Sequence, residues 1–125
     1  MISLAEALAI PVEVVDATGG SQGLRDRAAL EAALARPYAT FDGHDLYVDP
    51  VSKAAALFES IVSNHPFVDG NKRTGYVLCR LLLQTHDLDL HASDDEEYDL
   101  VIALAKGIVG VEELTAWLRD RIVAA

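Results

Sequence analysis

The chain has 125 residues, of which 51% are hydrophobic, and this size predicts a single domain over residues 1–125 whose core needs no metal or disulfide. Its formal net charge of −10 excludes the dense Lys/Arg face that a nucleic-acid backbone requires, and its apolar runs are too short for a membrane span. With one cysteine, Cys79, and no signal-peptide pattern, the chain is expected to be a soluble cytoplasmic protein that binds neither nucleic acid nor membrane.

The first helix is predicted from its start and from its apolar spacing. Ser3 followed by Glu6 has the pattern of a capping box, in which each residue satisfies the other's backbone N–H. Leu4, Leu8 and Val12 recur at helical spacing and are expected to form the apolar face.

Proline and glycine mark the boundaries that follow. Pro11 lacks an amide hydrogen and should kink or restart the first helix, which ends near Gly19. A second, short helix is predicted over residues 27–36, before Pro37. Residues 38–47 have mixed polarity and are predicted to be a loop.

The remaining helices follow the same signals. Asp49 and Pro50 open a third helix that should end near residue 64. A fourth helix is expected over 71–87, a fifth from a capping box at Ser93 to about residue 106, and a sixth around residues 111–118. No segment alternates in polarity, so any strand should belong to a short hairpin. The predicted fold class is all-α, a compact bundle of about six helices.

The junction of the third and fourth helices contains most of the reactive side chains. It reads His65-Pro66-Phe67-Val68-Asp69-Gly70-Asn71-Lys72-Arg73-Thr74. Pro66 disfavours helical geometry at His65, which leaves the imidazole in a loop where it can act as a base. Gly70 permits a tight turn, and the free N–H groups of the next helix form an anion site.

The charges at this junction also favour an anionic ligand. Lys72 and Arg73 lie at the helix end where the dipole disfavours cations, so a bound phosphate would supply the missing negative charge. Asp69 is a hard oxygen ligand suited to Mg²⁺. Three plainer interpretations remain: a solvated pair of cations, a carboxylate that caps the fourth helix, and a surface histidine at His65.

The junction resembles the signature of the Fic/Doc superfamily, H-x-F-x-[D/E]-[A/G]-N-[G/K]-R. Each fixed position is met, by His65, Phe67, Asp69, Gly70, Asn71, Lys72 and Arg73. The segments 19–26 and 30–37 resemble the upstream part of Doc-type (death-on-curing) proteins. The resemblance covers nearly the whole chain and implies the Fic fold.

Two positions divide this superfamily. Its AMP-transferring members carry glycine after the asparagine and a second arginine three residues beyond the first, whereas this chain has Lys72 and Tyr76. Doc-type toxins share the lysine. The resemblance therefore implies that the γ-phosphoryl group of ATP is transferred to a Ser or Thr hydroxyl, and the familiar target is a threonine of translation elongation factor Tu.

The resemblance also implies a role for each residue of the junction. His65 would be the catalytic base, and Asp69 would hold Mg²⁺. Gly70 and Asn71 would present backbone and side-chain donors to phosphate, which Lys72 and Arg73 would stabilise. A less specific implication is that the segment Gly23-Leu24-Arg25-Asp26 is a flap that docks the target protein.

The resemblance further implies control by a separate Phd-like antitoxin protein. Some Fic proteins inhibit themselves through the pattern [S/T]-x-x-x-E-[G/N]. Ser93 and Glu97 have this spacing, but Tyr98 follows. Ile10-Pro11 stands where many Doc-like chains have Ile-His, which affects the expected target. Three hypotheses stay open: a Doc-type protein kinase, an AMP-transferase, and a catalytically silent protein with the same fold.

Overall fold

The computed structural model describes residues 1–125 and is built from six α-helices. Their bounds are α1 Leu4–Thr18, α2 Arg27–Ala35, α3 Pro50–Asn64, α4 Asn71–Gln84, α5 Asp94–Ala105 and α6 Val111–Arg119. The strands are β1 Thr40–Phe41, β2 His44–Asp45, β3 Leu88–Leu90 and β4 Ile122–Ala124, and a 3₁₀ turn covers Arg36–Tyr38. The all-α prediction is confirmed. No helix combines the length and apolar character needed to cross a bilayer.

The helices begin where polar side chains satisfy their first backbone N–H groups. Ser3, Asp49 and Ser93 each accept a hydrogen bond from an amide in the first turn of α1, α3 and α5. Asp26 caps α2 in the same way. Such a cap typically stabilises a helix by about 1 kcal/mol, so these starts are specified locally.

The apolar core is arranged around α3, which packs against α2, α4, α5 and α6. Phe58 and Ile61 of α3 are completely buried. Gly75 of α4 faces them at short range, since a Cβ there would lie 3.1 Å from the Phe58 ring and 3.2 Å from Val62. Close contact between α3 and α4 fixes the geometry of the loop that joins them.

The buried face of α1 differs from the predicted one. Leu8 and Val12 are 37% and 49% exposed, whereas Ala7, Pro11 and Val14 are buried. Pro11 does not restart the helix, which runs through it to Thr18. Leu4 packs against the core as predicted. The prediction was wrong for Leu8 and Val12 because α1 is apolar on most sides, and its packing against α4 selects which side is buried.

The strands correct two further predictions. The segment 38–47, predicted to be a loop, contains the hairpin of β1 and β2. The second sheet is not a hairpin: β3 pairs antiparallel with β4, so that Leu90 lies opposite Ile122. Helix α4 ends at Gln84 rather than at 87, because the chain must turn before it enters β3.

Candidate active site

The backbone of His65 ends α3. Its φ of 48° and ψ of 60° place it in the left-handed region, and its N–H donates to the Ile61 carbonyl at 3.2 Å. Pro66 follows and prevents the helix from continuing. The His65 side chain is exposed. The structure therefore presents the imidazole to solvent from a fixed backbone position, as predicted from the sequence.

The segment over residues 23–26 is joined to the loop that follows His65. Val68 N–H donates to the Gly23 carbonyl at 3.0 Å, and the amides of Arg25 and Asp26 donate to the Pro66 carbonyl at 2.7 and 2.9 Å. Leu24 forms a β-bridge with Phe67 and is 38% exposed. The residues predicted as a flap thus lie directly against the reactive loop.

The Arg25 side chain strengthens this connection. Its Nε donates to the His65 carbonyl at 2.6 Å, and its Nη2 donates to the Asn64 carbonyl at 2.7 Å. These carbonyls belong to the end of α3, where backbone acceptors lack helical partners. Arg25 therefore holds the backbone of the predicted base.

Asn71 is buried and holds the loop closed. Its Oδ1 accepts from the Phe67 N–H at 3.0 Å, and its Nδ2 donates to the Phe67 carbonyl at 2.9 Å. Both ends of the amide are therefore occupied within the loop. The backbone N–H of Asn71, at the first position of α4, has no partner and can donate to a phosphate oxygen.

The N-terminus of α4 is an uncapped helix end. Gly70, the N-cap, has a φ of 76°, and no side chain bonds the first amides of the helix. No partner occurs for the N–H groups of Asn71, Lys72 and Arg73. Free N–H groups and the positive end of the helix dipole favour an anion here.

The cations at this helix end are also without partners. Lys72 and Arg73 are exposed and form no ion pair or hydrogen bond. Every other cationic side chain except Lys106 bonds a carboxylate or a backbone carbonyl. An unneutralised pair of cations beside free amides is suited to a phosphate group.

The Asp69 carboxylate is held by backbone donors. Oδ1 accepts from the Gly70 N–H at 2.9 Å, and Oδ2 accepts from the Ser21 N–H at 3.3 Å. Asp69 does not cap α4. It is the one carboxylate of the motif, and no group of three or more acidic, His or Cys side chains surrounds it. A single carboxylate ligand from the protein fits Mg²⁺, which binds one or two carboxylates together with substrate phosphates and water.

Comparison with known proteins identifies the family. A sequence profile described as the Fic/DOC family matches residues 1–83, which include the whole loop described above. The chain belongs to the Fic/DOC family. It is 38% identical over 111 residues to Toxin Doc of Mycolicibacterium smegmatis, covering 87% of this chain and 85% of that protein. A Fido domain-containing protein of Dictyostelium discoideum is 37% identical over 59 residues, 45% of this chain and 41% of that one.

Fic/DOC enzymes transfer groups to proteins, and in this chain Tyr76 stands where the AMP-transferring members have a second arginine. Tyr76 is buried and forms a T-shaped contact with Phe58, with ring centroids 5.8 Å apart. Its hydroxyl donates to Glu97 Oε1 of α5 at 2.7 Å. Burial, together with this carboxylate, raises the pKa of the phenol. This position therefore serves the packing of α4 on α5.

The cysteine and the other histidines lie outside the Fic/DOC site. Cys79 is completely buried, and burial raises the pKa of its thiol, so it is inert. His44, His86 and His91 are exposed and do not cluster. Sequence reasoning missed Ser21, whose contact with Asp69 is made by its backbone and leaves no signal in residue type.

Proposed function

We propose that the chain is a Doc-type toxin that transfers the γ-phosphoryl group of ATP to a Ser or Thr hydroxyl of translation elongation factor Tu, and thereby arrests translation and growth. The observation that carries the proposal is the unneutralised pair Lys72 and Arg73 at the uncapped start of α4, next to the exposed His65. This arrangement supplies a phosphate site and a base together.

The transfer would follow from these residues by positioning and charge neutralisation. The free amides of α4, with Lys72 and Arg73, bind the phosphate oxygens. His65 takes the proton of the attacking hydroxyl as its oxygen bonds to the γ-phosphorus, and the bond from that phosphorus to the β-phosphate oxygen breaks, so that ADP leaves. Asp69 would hold Mg²⁺, which neutralises phosphate charge when bound.

The choice of phosphoryl over AMP transfer is supported by two side chains. Lys72 adds bulk and charge at the place where the AMP-transferring pattern has a bare glycine backbone. Tyr76 replaces the second arginine of that pattern, and its hydroxyl is bonded to Glu97. The motif thus has one arginine, Arg73, where the AMP-transferring pattern has two.

The proposal includes restraint by a separate Phd-like antitoxin. The relative named Toxin Doc supports the toxin assignment. Glu97 has the spacing of a self-inhibitory glutamate relative to Ser93, but its carboxylate accepts the hydrogen bond of the Tyr76 hydroxyl within the fold. An inhibitor from another chain is therefore the simpler means of control.

The experiment is incubation of the purified chain with elongation factor Tu, and in parallel with a host-cell lysate, using ATP labelled at the γ- or the α-phosphate. Mass spectrometry of the modified proteins follows, and the chain is also expressed in the host to record growth. Label from the γ-position and an added phosphate mass on a Ser or Thr residue are expected. Transfer of α-label would instead establish an AMP-transferase. No transfer to any host protein, with no growth arrest on expression, would establish a silent Fic fold.

A further inference from the structure

We propose that Gly20 and the backbone amide of Ser21 are positioning residues for the Asp69 carboxylate. The inference rests on the proposed function, in which Asp69 holds Mg²⁺ beside the phosphates. It adds a second segment of the chain, at the end of α1, to the residues that determine metal affinity.

The first argument is the set of donors to the carboxylate. The Ser21 N–H reaches Oδ2 at 3.3 Å, and the Gly70 N–H reaches Oδ1 at 2.9 Å. Each oxygen thus has one backbone donor and keeps a further lone pair for a cation. Because the two donors come from different segments of the chain, they fix the direction of the carboxylate as well as its distance.

The second argument is the space at Gly20. A Cβ on this residue would lie 2.5 Å from Asp69 Oδ2 and 3.1 Å from Asp69 Cγ, while the next neighbour, Val15 Cγ1, is at an ordinary 3.5 Å. The φ of Gly20 is outside the left-handed region, so the backbone itself does not need glycine. Glycine is required here by the carboxylate alone.

A side chain at position 20 would therefore act on Asp69 specifically. Asp69 is exposed, and its carboxylate is the far end of a rotatable side chain, so it can turn away without unfolding the protein. This rotation of the Asp69 side chain would break its hydrogen bond with the Ser21 N–H, and the carboxylate would no longer have a fixed direction. Loss of a group that orients a metal ligand typically weakens metal binding about 10–100-fold.

The test compares Gly20→Ala with the matched control Gly19→Ala. Gly19 adjoins it in the chain and has a φ of 75°, yet a Cβ there would meet nothing within 4 Å. Gly19→Ala therefore strains the same segment without touching Asp69. Calorimetric binding of ATP is measured at rising Mg²⁺ concentration. Gly20→Ala should require about 10–100-fold more Mg²⁺ for half-maximal binding, and Gly19→Ala should match the wild type. Equal Mg²⁺ requirements in all three proteins, or equal shifts in both variants, would overturn the proposal.

A second measurement separates this proposal from the proposed function. If the wild type shows no Mg²⁺-dependent binding of ATP, the metal role of Asp69 fails, and the positioning is decided by NMR of the free protein. Gly20→Ala should move the amide resonance of Gly70 in the same direction as Asp69→Ala. In the Asp69→Ala background, Gly20→Ala should cause no further shift of the Gly70 amide resonance. An unmoved Gly70 amide in Gly20→Ala would contradict the positioning, whatever the protein binds.

Discussion

The hydroxyl of Tyr76 donates a 2.7 Å hydrogen bond to Glu97 and thereby joins α4 to α5. The donor belongs to a buried tyrosine ring, and the acceptor is a half-buried carboxylate. The position that has a second arginine in the AMP-transferring pattern thus joins two helices here, and its contribution to stability can be measured.

Tyr76→Phe should lower the free energy of unfolding by about 1–2 kcal/mol, because the ring stays packed while the carboxylate loses its donor. Urea denaturation measures this change. Glu97→Gln keeps an acceptor for the hydroxyl and should lose less. Both variants should keep the phosphoryl-transfer rate of the wild type within about twofold, because neither residue belongs to the phosphate site. A large loss of transfer in Tyr76→Phe would place the tyrosine in catalysis.

Asp89 should make the protein sensitive to acid. The Arg80 guanidinium bonds both of its oxygens, at 2.8 and 2.9 Å, and holds the pKa of Asp89 well below its ordinary value. The unfolded carboxyl binds a proton at about pH 3.9. The stabilisation is therefore complete above that pH and is lost as the pH falls toward the folded pKa.

Asp89→Asn is accordingly expected to be less stable than the wild type at pH 7 and to lose less stability between about pH 5 and 3. Denaturation at a series of pH values measures both differences. Asp99→Asn is the matched control, because Asp99 is exposed and makes no side-chain hydrogen bond. Parallel pH curves for the wild type and Asp89→Asn would contradict the prediction.

Thr74→Val should stabilise the protein. Thr74 is completely buried, and its Oγ1 is the one buried side-chain polar atom without a hydrogen-bond partner. An unsatisfied buried hydroxyl typically costs about 1–3 kcal/mol, and valine has nearly the same shape. Thermal and urea denaturation should show a gain of about 1 kcal/mol. Thr74→Ser, which keeps the hydroxyl and removes the methyl group, should instead lose stability.

His65 offers two inactive variants that should differ in stability. Both His65→Ala and His65→Asn remove the base and should reduce transfer at least about 10²-fold. The φ of 48° is unfavourable for alanine by roughly 1–2 kcal/mol, whereas asparagine adopts this region more readily. Denaturation should therefore place His65→Asn closer to the wild type. Equal stabilities of His65→Ala and His65→Asn would contradict this prediction and would show that the backbone at position 65 leaves the left-handed region in the alanine variant.

Lys72→Ala and Arg73→Ala should separate activity from stability. Neither cation has a partner, and both lie at the positive end of α4. Their removal should leave the free energy of unfolding within about 0.5 kcal/mol of the wild type and reduce transfer by roughly 10²-fold or more. Lys106→Ala is the control, since Lys106 is also unpaired but lies at the end of α5. Normal transfer in both site variants would contradict the phosphate assignment.

The starts of the helices were predictable because their signals are local. Ser3, Asp49 and Ser93 each bond an amide three residues ahead, so the pattern is visible in the sequence itself. The placement of the reactive loop between α3 and α4 follows from the same local rules. Pro66 prevents α3 from continuing, and Gly70 immediately precedes α4.

The buried face of α1 and the second sheet were not predictable, because distant segments decide them. A helix that is apolar on most sides can bury any of them, and the packing of α1 against α4 decides which one is buried. The pairing of Leu90 with Ile122 gives no periodic signal in such short strands. Within the site, the Ser21 amide and the enclosed Asn71 side chain depend on how the loop folds back, and residue types alone do not encode that.

The attachment of segment 20–26 to the reactive loop has a consequence for redesign. Apart from the Arg25 guanidinium, the contacts come from main-chain atoms, of Ser21, Gly23, Arg25 and Asp26. The Leu24 side chain points partly to solvent and takes no part in these hydrogen bonds. Substitutions at this position should therefore change the surface beside the reactive loop while the main-chain hydrogen bonds that anchor the loop are kept.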